Sequence, residues 1–142
     1  MVVIDYNDID DVVDRRVKVT NKLDKDTTYH LESCLGVNKV TRIEGHVSQH
    51  CMVADKGYSY YADTGLLKTQ TDWQGRITQF EYNTLGLEIK RIEAKGTPEE
   101  RTFLTEWHND FNVKTEESSP VRIQTFEYVA AGNLIRIARK VN

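Results

Sequence analysis

Cysteine and proline are nearly missing from this sequence, with two of each in 142 residues. Two cysteines are too few for the disulfide framework that replaces a hydrophobic core in small secreted domains. Cys34 and Cys51 can therefore be free thiols, one bridge or metal ligands. An excess of basic charge is missing too. Lys and Arg number 19 against 22 Asp and Glu, a net charge of −3, which is the wrong sign for the field that draws proteins to phosphate backbones. Nucleic acid is not expected as a partner. No apolar run approaches the ~20 residues of a spanning helix, so no membrane span is expected either. The opening residues turn acidic at Asp5 and Asp8, where a signal peptide needs a basic stretch and then an apolar one. Alanine is also scarce, at six residues against 14 Val, 9 Ile and 14 Thr. Stiff β-branched side chains suit a pleated sheet better than a helix, and an all-β protein is expected.

What is present is a repeat. An aromatic residue is followed four positions later by a turn residue and then by strand formers, beginning at Tyr61, Tyr82, Trp107 and Tyr128. The turn position is Gly65, Gly86, Phe111 and Gly132 in the four copies. The unit is the size of a hairpin, and the longer gap between the second and third copies accommodates a polar insert at 95–100. Glycine at this position supplies the positive φ that a short hairpin loop wants, so the loop at Phe111 should take a different conformation. Asp72-Trp73-Gln74-Gly75 has the form of a type I turn. Alternation puts Thr78, Phe80 and Tyr82 on one face, and likewise Phe103, Thr105 and Trp107, and Gln124, Phe126 and Tyr128. About eleven short strands with polar turns predict an antiparallel β-hairpin meander, sandwich-like or closed by dimerisation because an open array leaves bare edges. Residues 1–17 read as an acidic arm or first strand, and 18–142 as a single hairpin-repeat domain.

Taken together, residues 18–135 resemble the Rhs, or YD-repeat, family. The segments that carry the likeness are Lys18-Val19-Thr20-Asn21, Thr27-Thr28-Tyr29-His30, Asn38-Lys39-Val40-Thr41-Arg42-Ile43-Glu44-Gly45, Lys68-Thr69-Gln70-Thr71-Asp72-Trp73-Gln74-Gly75 and Glu93-Ala94-Lys95-Gly96-Thr97-Pro98-Glu99-Glu100-Arg101-Thr102. The resemblance implies a stretch of the β-hairpin wall that winds, in bacterial Rhs effectors and insecticidal Tc complexes, into a shell around a toxic domain. It further implies cytoplasmic synthesis with export by a specialised secretion system, and partners in the rest of such a shell or in a second copy. The Tyr-Asp pair that names the repeat is absent from the four copies, which read Tyr61-Ala62, Tyr82-Asn83, Trp107-His108 and Tyr128-Val129. No match to the family's autoproteolytic segment or to a toxin is visible, so no protease role is carried over.

Few residues suggest chemistry. Cys34, His46, His50 and Cys51 have the ligand types of a tetrahedral zinc site, and a small metal-dependent enzyme there is one reading. Their spacing lacks a Cys-x-x-Cys pair, and solvated histidines with unligated cysteines are the simpler account. Asp5, Asp8, Asp10, Asp11 and Asp14 read as a solvated acidic arm, because they lack the glycine and the alternating order of a calcium loop. Ser33, Ser118 and Ser119 lie in no nucleophile elbow. Glu99-Glu100 and Glu116-Glu117 read as solubilising turn and strand-end residues. The aromatics divide. Tyr61, Phe80, Tyr82, Phe103, Trp107, Phe126 and Tyr128 are expected to form a packed inner face. Tyr58, Tyr60 and Trp73 fall on the opposite face or in a turn, where exposed rings bind carbohydrate or protein. The expectation is a non-enzymatic structural or interaction module without a cofactor.

Overall fold

The structure, a computed structural model, describes residues 3–5, 15–45 and 55–142. No helix is present among them, and β structure dominates. Backbone contacts divide the chain into two compact units, Met1–Ile77 and Thr78–Asn142. The first holds β1 (Val3–Asp5), β2 (Arg15–Thr20), β3 (Asp26–Cys34), β4 (Val37–Glu44), β5 (Asp55–Tyr60) and β6 (Leu67–Thr71). Except for Ile77, the second holds β7 (Ile77–Tyr82), together with β8 (Glu88–Glu93), β9 (Arg101–Trp107), β10 (Lys114–Ser119), β11 (Arg122–Tyr128) and β12 (Leu134–Val141).

In each unit every strand pairs antiparallel with its sequence neighbour, giving the expected hairpin meander with strands in chain order. One more strand is present than the turn signals suggest, since the acidic opening contributes β1 opposite residues 18–20.

The turns follow from a few residues. Asn21, Asp72 and Asn83 open three alike. In each, the first residue's amide donates to the carbonyl four positions on, at Lys25, Arg76 and Leu87, over 2.9, 3.0 and 2.9 Å. The fourth residue's amide donates back to the first carbonyl, from Asp24, Gly75 and Gly86 over 3.1, 3.0 and 3.0 Å. The opening side chain adds a further acceptor. Oδ1 of Asn21, Asp72 and Asn83 accepts from the amides two and four positions later at 2.8 to 3.2 Å, so a polar side chain holds each turn from within. The fourth residue has positive φ each time, 53° at Asp24, 78° at Gly75 and 76° at Gly86. Val129 opens the same backbone turn, with Gly132 at φ 80°, without a side-chain acceptor.

Gly65 has the expected positive φ of 67°. The loop at Phe111 does differ: it closes from the His108 amide to the Val113 carbonyl at 2.9 Å, as wide as the Gly65 loop from Tyr61 to Leu66, but Phe111 has no positive φ. The His108 ring lies 4.9 Å from that of Phe111 and accepts the Asp110 amide.

The expected packed inner face is not formed. Among the described residues no apolar side chain is buried, and Thr105, at 9% exposure, is the one buried residue. Tyr61, Phe80, Tyr82, Phe103, Trp107, Phe126 and Tyr128 are all half-buried. Within each unit the strands pack against their sequence neighbours, so a ring is flanked by cross-strand side chains while its outer side keeps contact with solvent.

Candidate functional site

The repeat's aromatic has a defined task. Tyr60, Tyr82, Trp107 and Tyr128 are each the last residue of their strand, paired with Leu67, Glu88, Lys114 and Leu134. In all four copies the register shifts immediately before the aromatic, and the extra residue lies on the partner strand: Lys68 opposite Ser59 and Tyr60, Ile89 opposite Glu81 and Tyr82, Thr115 opposite Glu106 and Trp107, and Ile135 opposite Glu127 and Tyr128. A bulge of this kind increases the local twist of the ladder beside the aromatic. Three of these side chains then donate to a backbone carbonyl on the preceding strand: Tyr60 Oη to Val40 at 2.7 Å, Trp107 Nε1 to Glu88 at 2.8 Å, and Tyr128 Oη to Lys114 at 2.7 Å.

In the first copy the equivalent position is therefore Tyr60. Tyr61 instead opens the turn, its amide donating to Leu66 and its carbonyl accepting from Gly65. The Tyr60-Tyr61 doublet hides this phase in the sequence, and the turn's wider closure absorbs the extra residue.

Tyr58 and Tyr60, two of the three exposed-aromatic candidates, line one groove of about 440 Å³ with Glu32, Cys34, Lys39 and Thr41. β3, β4 and β5 carry these residues, and the register sets Glu32 opposite Lys39. Lys39 Nζ stands 5.6 Å from the centre of the Tyr60 ring, within cation–π range. Burial pushes the Tyr60 phenol above its ordinary pKa, and the neighbouring Tyr58 and Cys34 add to the rise. Tyr60 thus remains a neutral donor to Val40. Cys34 has a free thiol that donates to the Tyr61 carbonyl at a long 3.9 Å. The groove offers ring edges, hydroxyls, one cation and one carboxylate, a set suited to holding a polar ligand.

Trp73 lies elsewhere in the first unit. It sits in the Asp72 turn, 42% exposed, with Lys56 Nζ at 5.3 Å from its ring centre. Arg42 ties three strands nearby. It bonds Asp55 at 2.6 Å and Glu44 at 3.0 Å, while His30 Nε2 meets the same Glu44 oxygen at 3.0 Å. The hydrogen bond with Asp55 raises the Arg42 pKa against the opposing effect of burial.

Of the cysteine and histidine group, His46, His50 and Cys51 lie outside the described residues, as do Asp8, Asp10, Asp11 and Asp14. Among the described residues no group of three or more His, Cys, Asp or Glu side chains could hold a metal ion. Ser119 is engaged in the β10–β11 turn, where Oγ donates to the Arg122 carbonyl at 3.0 Å and accepts the Arg122 amide at 3.1 Å. Glu100 accepts the Gly96 amide at 2.7 Å, and Glu117 pairs with Lys114 at 2.7 Å. No helix among the described residues is long and apolar enough to cross a membrane.

The fold and these sites define an all-β protein built from antiparallel hairpins. Compared with known proteins, the chain matches no family model and no curated protein.

Proposed function

We propose that this chain is a non-enzymatic structural and interaction module, a length of hairpin wall of the kind the Rhs/YD-repeat resemblance implies. It works by surface contact, with a second copy or the remainder of a larger shell as partner. One observation supports this reading above the others: among the described residues no apolar side chain is buried, although Leu104, Ile135 and Ile137 are 46 to 62% exposed on strands. Apolar strand residues left half-bare are what a wall presents to the layer that covers it.

Light scattering on the purified chain, with intact mass of the native product in its source cells, tests the reading. A product larger than 16.4 kDa, or a dimer, supports it. A monomer that binds no hydrophobic dye, together with a native product of 16.4 kDa, overturns it.

A second reading is favoured by the groove at Tyr58 and Tyr60, which makes the first unit a carbohydrate- or protein-binding module. A glycan titration followed by tyrosine fluorescence tests it. Saturable binding that Tyr58→Ala abolishes and Trp73→Ala leaves intact supports the groove; no saturation with any glycan removes carbohydrate as its ligand.

A further inference from the structure

The groove at Tyr58 and Tyr60 holds two charges that do not meet. Glu32 and Lys39 are the two charged residues that line it, and the β3–β4 ladder sets them directly opposite each other. Opposite charges in that relation commonly pair, since their Cβ atoms lie about 5 Å apart. No ion pair joins these two. Lys39 turns its ammonium over the Tyr60 ring, 5.6 Å from the centre, and among the described residues the Glu32 carboxylate has neither a cation nor a hydrogen-bond donor as partner.

The uncharged lining divides into groups already engaged and groups still open. Tyr60 Oη is committed to the Val40 carbonyl, and Ser59 Oγ is bonded to Thr69 Oγ1 at 2.6 Å. The hydroxyls of Thr41 and Tyr58 make no hydrogen bond among the described residues. Thr41 is the extra residue at the β3–β4 register shift, between Val40 and Arg42. Lys39 already occupies the Tyr60 ring, whereas no described cation stands over the half-buried ring of Tyr58. A bare carboxylate, an ammonium without a counter-ion and an open aromatic ring thus converge on one concavity.

We propose that this groove binds a small zwitterion, a free α-amino acid with an aromatic side chain, its ammonium on Glu32, its carboxylate on Lys39 and its ring against Tyr58. A ligand of one charge answers one of the two side chains and is repelled by the other. A dipolar ligand answers both with charge-assisted bonds, and sugar hydroxyls would bond each charge without neutralising it. The ring of the ligand meets Tyr58 in the offset or edge-on contact that aromatic pairs favour. A groove of about 440 Å³ has the size of small-molecule sites. The inference rests on the reading of this groove as a binding site and names the ligand it takes.

The test is calorimetric titration of the full chain with four ligands: L-phenylalanine, N-acetyl-L-phenylalanine, which lacks the ammonium, L-phenylalaninamide, which lacks the carboxylate, and N-acetyl-L-phenylalaninamide, which lacks both. The free amino acid binds best, and blocking either end weakens binding roughly tenfold. Glu32→Gln weakens L-phenylalanine by a similar factor and does not weaken the N-acetyl derivative. Lys39→Gln likewise weakens L-phenylalanine and does not weaken the amide, with the β circular dichroism of both variants intact. Lys22→Gln, at an exposed position of the β2–β3 turn, leaves affinity unchanged. Equal affinity for all four ligands, or wild-type affinity in both variants, overturns the proposal. Saturable glycan binding without saturable L-phenylalanine binding overturns it and leaves the groove a binding site, whereas saturation by neither removes both.

Discussion

Asp72 shows how much one side chain does in this protein. Its carboxylate holds the amides of Gln74 and Arg76 and pairs with the Arg76 guanidinium at 2.8 Å. Burial pushes its pKa up, but the bonds from Arg76 and Gln74 outweigh that and hold it below the ordinary carboxylate value. A pKa depressed by folding contributes stability above the unfolded value of about 3.9, and that contribution disappears as pH falls through the folded pKa. Asp72→Asn retains the Oδ1 acceptor and removes the charge, so thermal melts of this variant lose part of the acid-side slope. Asp72→Ala loses the turn acceptor as well and melts lower at neutral pH.

The aromatic ties are measurable in the same way. Tyr128→Phe leaves the Lys114 carbonyl without its donor and costs about 1 kcal/mol in denaturant unfolding. Tyr128→Ala also removes a half-buried ring and costs about 2 kcal/mol. A loss of the size typical of a core aromatic is not expected, because the ring keeps solvent on one side.

At the scale of elements, the sequence announces its turns more clearly than its strand ends. Gly65, Gly86 and Gly132 are legible because positive φ excludes most other residues, and the structure puts all three there. Asn21 and Asn83 are less legible as turn openers, since an Asx side chain that bonds its own loop looks in sequence like any polar loop residue. The phase of the first copy is hidden because Tyr60 and Tyr61 both satisfy an aromatic spacing, and the bulge that decides between them has no side-chain signature. The Tyr58 and Tyr60 groove is half legible: alternation brings the two rings to one face, but Cys34 and Lys39 join them through strand register, which short polar strands do not disclose.

Gly75 tests the turn account directly. A Cβ there meets nothing within 4 Å, so the cost of Gly75→Ala is the cost of φ 78° alone, about 1 kcal/mol in unfolding experiments. Gly75→Asn costs less, because Asp24 already occupies the equivalent position of the first turn at φ 53°. Gly57 is the control. Its φ is not in the left-handed region and a Cβ would make ordinary contact with Thr71 at 3.5 Å, so Gly57→Ala leaves the melting temperature nearly unchanged.

At the scale of the molecule, the all-β class was readable from β-branched content and turn spacing, whereas the lack of a buried apolar side chain among the described residues was not. Alternating aromatics look the same in sequence whether or not a second layer covers them. The physical difference is topological: each strand pairs with its sequence neighbours inside its own unit. Stability in such an array is close to a sum over neighbouring pairs. Amide exchange should therefore show protection graded from strand to strand within each unit, and not one slow set of amides across all strands. A single slow set that exchanges only by global unfolding would mean that long-range packing, and not local pairing, holds the chain.

The Asx turn and the aromatic tie also set how such a chain can change in length. Both close within one hairpin and the strand just before it. A whole hairpin inserted or excised at a turn breaks no bond beyond its own borders, whereas a single added strand reverses the run of everything that follows. Duplication in hairpin steps is thereby the cheap evolutionary move and odd-strand steps the costly one, and a change of loop length, as between Tyr82 and Trp107, disturbs neither device.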